Sequence, residues 1–392
     1  MTLKTSRFRI AALAFFNVMA VIAVVRLMPG PIADQDAFAP LIQRAGGVHY
    51  EKLVIEGEHL EGGIFDPSLE YSPDGKTGWL TYTTITGHFK PVGPFASTHL
   101  ARSNDHGATW TFVKALNTSA DATITLEGKP LAGAWRYEVS ALVCDSGDPD
   151  ASRRWKLFVH RYFWNADRDR MPDVGWIVMQ TAAEPDGQWS PETPLFGAGA
   201  FPREPFHQTR IDINSLDSSL RGVVAYSEPG VIARDGHLYL AMTALRPSGP
   251  DRIILLDSAD HAQTWRLAGT LLTRDDAHLL GRRCFDAASL AVDGGKVFLL
   301  VTAMSRQQTT DGSAAFEITS MIDARIRRDA EGKPAIAAYF PIQASIRSGP
   351  GGGQCDYDAA NTHGGLLISQ LNFKAYPEVF QIYQSRRSIV PR

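Results

Sequence analysis

One unit recurs five times along this chain, and a sequence that repeats itself at this scale must stack its copies to bury their apolar faces. Each copy has at its head an acidic residue followed by small or apolar residues, reaches an Asp-Gly turn, and continues as a strand of alternating apolar residues. The copies are FDPSLEYSPDGKTGWLTYTTI from Phe65, YEVSALVCDSGDPDASRRWKLFVHRYFW from Tyr137, SEPGVIARDGHLYLAMTAL from Ser227, FDAASLAVDGGKVFLLVTAM from Phe285 and YDAANTHGGLLISQLN from Tyr357. Their heads are Asp66, Glu138, Glu228, Asp286 and Asp358. Turn acids Asp74, Asp145, Asp235 and Asp293 follow in the first four copies, and the fifth turns at His363-Gly364. Alternating apolar runs around such a turn read as hairpins.

Further strands follow each hairpin: THLARS at 98–103, GWIVMQ at 175–180, RIILLDS at 252–258, FEITSMI at 316–322 and VFQIYQS at 379–385. About four strands in each of five units predict an all-β fold, a five-bladed β-propeller of four-stranded antiparallel blades. The last copy runs out of chain after its third strand. VHYEKLVI, residues 48–55, is therefore expected to supply the missing outer strand and close the ring, since an open ring would expose a sheet edge. A length of 392 residues exceeds one ordinary core. A chain 44% hydrophobic and 10% aromatic is not a disordered one. With Lys+Arg 39 against Asp+Glu 42, it carries no footprint for nucleic acid.

The N-terminal residues are a different object. IAALAFFNVMAVIAVV, residues 10–25, holds no charge, follows Lys4, Arg7 and Arg9, and precedes Arg26. A basic flank before an apolar run marks membrane targeting. Residues 1–30 are expected to be a transmembrane or signal helix, 31–47 a linker, and 48–392 an exported propeller facing the periplasm or cell exterior, secreted if the segment is cleaved. Cys284 and Cys355 stand just before the fourth and fifth heads, and a bridge between them is expected in that compartment.

SNDHGATW, Ser103 to Trp110, fits S-x-D-x-G-x-T-W and resembles the Asp-box (BNR repeat) of sialidases; SADHAQTW, Ser258 to Trp265, is a copy with Ala262 in place of the glycine. Asp105 can accept N–H groups across the loop, Gly107 permits positive φ, and Trp110 packs on the sheet. The repeat heads resemble those of five-bladed glycoside hydrolases of the invertase, levansucrase and arabinanase/xylosidase type. That resemblance implies Asp66 of FDPS as base or nucleophile, Glu138 of RYEVS as the acid that positions sugar and tunes pKa, and Glu228 of SEPG as general acid. Those families usually have Asp at the second position, so Glu138 sets its carboxylate one methylene further out. Glycosidic cleavage needs one protonated and one ionised carboxyl group, and like charges held together push their pKa values apart.

Second strands of the hairpins should bring Thr83, Thr84, His160, Arg161, Tyr162, Thr243, Thr302, Gln370 and Asn372 toward the same mouth. Arg136, His160, Arg161 and Tyr226 are the expected substrate contacts, with Trp135 and Trp164 as further stacking surfaces. Asp286, Asp358 and His363 are candidates for a structural calcium in the channel, as some five-bladed hydrolases hold one; no other cofactor is expected. The reading is an exported, membrane-anchored glycoside hydrolase acting on a carbohydrate. One rival is an exo-sialidase with Arg102, Arg136, Arg161 and Arg203 around the substrate carboxylate. Another is a non-catalytic propeller that binds glycan or protein, in which the head acids bond backbone amides.

Overall fold

Five antiparallel units follow one another along the chain, each starting from an inner strand whose hairpin partner returns beside it. The structure, a computed structural model, describes residues 36–44, 49–59, 61–86, 95–165, 169–198, 209–305, 310–341, 355–358 and 365–390. Blade 1 is built from Gly63–Tyr71, Gly78–Thr86, Phe95–Ser103 and Trp110–Asn117. Blade 2 has Lys129–Cys144, Trp155–Asn165, Asp169–Ala182 and Thr193–Gly197. Blade 3 has Ala225–Arg234, His237–Arg246, Gly249–Ser258 and Arg266–Thr273. Blade 4 has Cys284–Asp293, Lys296–Met304, Thr310–Ser320 and Ile336–Pro341.

Blade 5 takes Cys355–Tyr357, Leu366–Leu371 and Phe380–Ser385 from the C-terminal end and Glu51–Lys52 from the N-terminal side. Glu51 pairs with Gln384 and Lys52 with Tyr383, so the ring closes where the sequence placed the missing strand. The chain then crosses to blade 1, where Ile55 pairs with Trp110 in parallel. At the seam Gly63 lies beside Phe380 with φ +107°, and a Cβ there would stand 1.9 Å from the Phe380 carbonyl oxygen. Only glycine fits that position.

Alternation along each strand sends successive side chains to opposite neighbours, and five apolar clusters fill the five junctions. Trp79 and Leu100 meet Leu157 and Val178 between blades 1 and 2. Phe158 and Ile177 meet Leu240 and Leu256 between blades 2 and 3. Tyr239 and Leu255 meet Leu299 and Phe316 between blades 3 and 4. Phe298 and Leu300 meet Ile368 and Tyr383, and Leu367 and Ile382 meet Leu80 and Ala101, at the last two junctions. Inner strands touch in the same cyclic order around a central channel.

Two outer turns follow one plan. In blade 1 the Asp105 carboxylate accepts from Thr109 N–H at 2.9 Å and Thr109 Oγ1 at 2.6 Å, and Gly107 N–H donates to Ser103 Oγ at 2.7 Å. In blade 3 Asp260 accepts from Thr264 N–H at 2.8 Å and its hydroxyl at 2.6 Å, while Ala262 N–H donates to Ser258 Oγ at 3.0 Å. Gly107 has φ +78° and Ala262 φ +67°.

Part of the expected linker is built into the ring. Ala37 N–H donates to Leu280 O at 3.2 Å, Arg282 pairs with Asp36 at 3.1 Å, and its guanidinium lies 4.4 Å over the Phe38 ring. The short helix Ala39–Arg44 follows. Among the described residues no helix is long and apolar enough to cross a membrane; residues 1–30, expected to do so or to be cleaved, lie outside them. The expected disulfide is corrected: all three cysteines are free. Cys284 turns to Met304 of its own blade, 3.6 Å away, and Cys355 is sealed in the junction of blades 4 and 5. Burial pushes both thiols up to about 12.

Candidate active site

Each inner strand starts at one end of the channel, the mouth, and runs to its hairpin turn at the other. Near its start the inner strand of each of blades 1 to 4 carries a one-residue bulge. The register slips between Phe65 and Ser68, Glu138 and Ser140, Ser227 and Gly230, and Asp286 and Ser289. The bulge residue adopts a left-handed backbone: Asp66 at φ +51°, Val139 at +53°, Glu228 at +56° and Ala287 at +55°. A β-branched residue rarely does so, and its presence marks the bulge as a demand of the architecture. The backbone equivalents of Asp66 and Glu228 are thus Val139 and Ala287. Glu138 and Asp286 sit one residue earlier, ladder-paired with His160 and Thr302.

The bulge exposes an N–H to the neighbouring blade, and a side chain there accepts it. Asp66 N–H donates to Ser369 Oγ of blade 5 at 2.8 Å, and Val139 N–H to Thr83 Oγ1 of blade 1 at 3.1 Å. Ala287 N–H donates to Glu228 Oε2 of blade 3 at 2.6 Å. Glu228 is half-buried in the residue average and Asp66 is 2% exposed. Burial first, then the carboxyl of Asp286, which hydrogen-bonds Glu228, and then the charge of Asp66 push Glu228 well above the usual carboxylate range. A protonated carboxyl group beside other acids is what general-acid chemistry requires.

Glu138 has a different setting. Its carboxylate accepts from the Tyr162 hydroxyl and pairs with Arg136 at 3.6 Å, and the Arg136 guanidinium lies 5.5 Å over the Tyr162 ring. His160 lies tilted against Tyr162, with ring centroids 4.9 Å apart and 35° between the planes. Arg136, Glu138, His160 and Tyr162 therefore share the face of blade 2 that looks toward blade 3.

Three expected site residues lie elsewhere. Arg161 turns to the opposite face, over Trp135 at 4.7 Å, Tyr137 at 5.3 Å and Trp176 at 5.5 Å, and pairs with Glu192 at 3.0 Å. Strand alternation imposes this, since its neighbours His160 and Tyr162 face the other way. Tyr226 is core, 3% exposed, and donates to Asn214 Oδ1 at 2.6 Å. Asp358 is not a head: its N–H donates to Gly365 O where the hairpin turns, and its carboxylate accepts from Tyr71 at the turn end of blade 1, 2.8 Å away. Asp286 is engaged with Glu228 at the mouth, so Asp286 and Asp358 do not form one cation site. His363 and Arg203 lie outside the described residues.

The turn end of the channel has its own acids. Asp356 accepts from Leu69 N–H at 2.7 Å, and Glu70 accepts from the N–H groups of Tyr71 and Cys144. Burial pushes Glu70 up to about 7 and Asp356 up to about 8. Among the described residues one group has metal-ligand spacing: Asp145, Asp148 and His261, between blades 2 and 3. Lys156 supplies the positive charge there, its buried Nζ 3.0 Å from Asp145 and 2.8 Å from Asp148.

No protein-family model and no curated protein matches the sequence. Solved structures match in fold. The exo-β-1,3-galactanase of Clostridium thermocellum aligns with a TM-score of 0.51 at 10% identity over 86% of this chain and 63% of that one. The xylan β-1,4-xylosidase of Bacillus halodurans aligns with a TM-score of 0.43 at 16% identity, over 72% of this chain and 46% of that one. A Bombyx mori β-fructofuranosidase solved in complex with sucrose gives a TM-score of 0.48 at 11% identity, covering 90% and 68%. The chain spans about half the length of the xylosidase and less than two thirds of the galactanase. Its fold is similar to that of the five-bladed β-propeller glycoside hydrolases.

Proposed function

We propose that this chain is a glycoside hydrolase acting on a carbohydrate at the channel mouth. Glu228 is the general acid, Asp66 the base or nucleophile, and Glu138, with Arg136 and His160, holds the sugar. The observation that carries the reading is the grouping of Glu228 with Asp286 and Asp66, which together with burial raises the Glu228 carboxyl well above the usual carboxylate range. Hydrolysis needs that pairing of a proton donor with an ionised carboxylate. The uncharged run at residues 10–25 with its basic flank supports an exported enzyme held at a membrane. A second reading, a binding module, draws on the Ala287 N–H bonded to Glu228, since such a bond also suits an acid with a purely structural duty.

A screen with 4-nitrophenyl glycosides of pentoses, hexoses and sialic acid, and with sucrose, decides between them. Asp66→Asn and Glu228→Gln should each lower kcat by about 10²-fold or more on any substrate found. Retention of full activity by Glu228→Gln would remove the proposed acid.

A further inference from the structure

We propose that Asp286 is the positioning residue of the general acid, holding the proton on Glu228 from blade 4, a duty the family resemblance would give to Glu138 in blade 2. The inference rests on the reading of Glu228 as that acid. Its geometric basis is one shared donor. Ala287 N–H reaches Glu228 Oε2 at 2.6 Å and Asp286 Oδ1 at 3.1 Å, so carboxyl oxygens from adjacent blades converge on a single N–H. Two carboxyl groups this close, removed from water, carry one proton in all rather than two full charges.

Asp286 is fixed for this duty. It is ladder-paired with Thr302, and the left-handed turn of Ala287 directly after it aims the shared N–H across the blade junction. The Thr243 hydroxyl also points at Oε2, at 3.5 Å, which leaves Oε1 to carry the proton. In the reaction that proton passes from Oε1 to the glycosidic oxygen, which keeps the electron pair of the broken C–O bond while Asp66, or a water that gives its proton to Asp66, bonds the anomeric carbon. The new charge on Glu228 then lies against Asp286, and this repulsion favours its recovery of a proton, from the attacking water where Asp66 is the nucleophile and from solvent where Asp66 is the base. Asp66 and Cys284 are the other titratable groups near Glu228, with Arg274 and Arg283 beyond Cys284. Glu138 is committed to Tyr162 and Arg136.

The test is an NMR titration of the full chain labelled with ¹³C at the glutamate carboxyl, the Glu228 signal being assigned by its loss in Glu228→Gln. Asp286→Asn should lower the Glu228 midpoint by about one pH unit or more, about tenfold in proton affinity, and Glu138→Gln should move it by only a few tenths. An unchanged midpoint in Asp286→Asn, or an equal shift in Glu138→Gln, would overturn the proposal. If Asp286→Asn does not fold, Asp286→Ser carries the same expectation, and Asp286→Glu should keep the raised midpoint. With a substrate in hand, Asp286→Asn should move the alkaline limb of the rate profile by the same amount. A shifted midpoint with no glycosidase activity in the wild-type chain would leave the pair standing but overturn its catalytic duty.

Discussion

Val139 of blade 2 occupies the backbone position that Asp66 occupies in blade 1, each at the left-handed residue of a bulge whose N–H is accepted by the neighbouring blade. In an ordinary strand glycine is worse than alanine; at positive φ the order reverses because alanine carries a Cβ clash. Val139→Gly is therefore expected to be more stable than Val139→Ala by about 1 kcal/mol, read from urea unfolding of the two variants. The opposite order would mean that the bulge relaxes once the valine is gone.

The matched outer turns give a second comparison. Ala262 stands at φ +67° where blade 1 has Gly107 at +78°. Ala262→Gly should stabilise the protein by about 0.5–1 kcal/mol, and Gly107→Ala should cost at least as much, with melting temperatures as the readout.

Lys156 is fully buried and holds Asp145 and Asp148 between blades 2 and 3. Burial opposes the charge on Asp148, but the Lys156 hydrogen bond and the Asp150 N–H outweigh it and keep that carboxyl below the usual range. A depressed carboxylate contributes stability that is present above its unfolded pKa and lost as pH falls through the folded one. Lys156→Met should cost about 3–5 kcal/mol near neutral pH, because it strands two buried carboxylates. The loss should shrink in chemical denaturation as pH falls through the lowered folded value of Asp148, where that carboxyl takes up a proton and no longer needs the lysine.

Glu70 and Asp356 behave in the opposite sense. Their folded pKa values, about 7 and about 8, lie above the unfolded ones, so the folded state grips a proton that the unfolded chain releases. The resulting penalty is absent below about pH 4 and grows as pH rises toward the folded values. Glu70→Gln keeps an acceptor for Tyr71 and Cys144 while removing the charge. It should leave stability near pH 4 unchanged and raise it by about 2 kcal/mol at about pH 8–9, flattening the alkaline decline in a series of melts.

The blades were legible because each hairpin is written locally: alternating apolar residues around Asp74, Asp145, Asp235 and Asp293. Closure by residues 48–55 followed from counting strands, and Glu51 and Lys52 supply that edge. The phase of the bulge was not legible, because Asp66, Val139, Glu228 and Ala287 share a backbone angle and no side-chain chemistry. Lining up acids instead put Glu138 and Asp286 one residue out. The YDAA of Tyr357 imitates the FDAA of Phe285, yet Asp358 closes a hairpin, because the inner strand of blade 5 is already ending there. The partnership of Glu228 with Asp286 crosses a blade boundary, which no local pattern records.

The Asp36–Arg282 clasp has a bearing on orientation. Gly281, where a Cβ would stand 2.8 Å from the Asp36 Cα, lets the incoming chain lie flush against the loop that leads into Cys284 and the inner strand of blade 4. That loop borders the rim on which Asp66 and Glu228 open. The chain at Asp36 is thus held against the front of the ring and not its back, by a buried arginine and one aromatic ring.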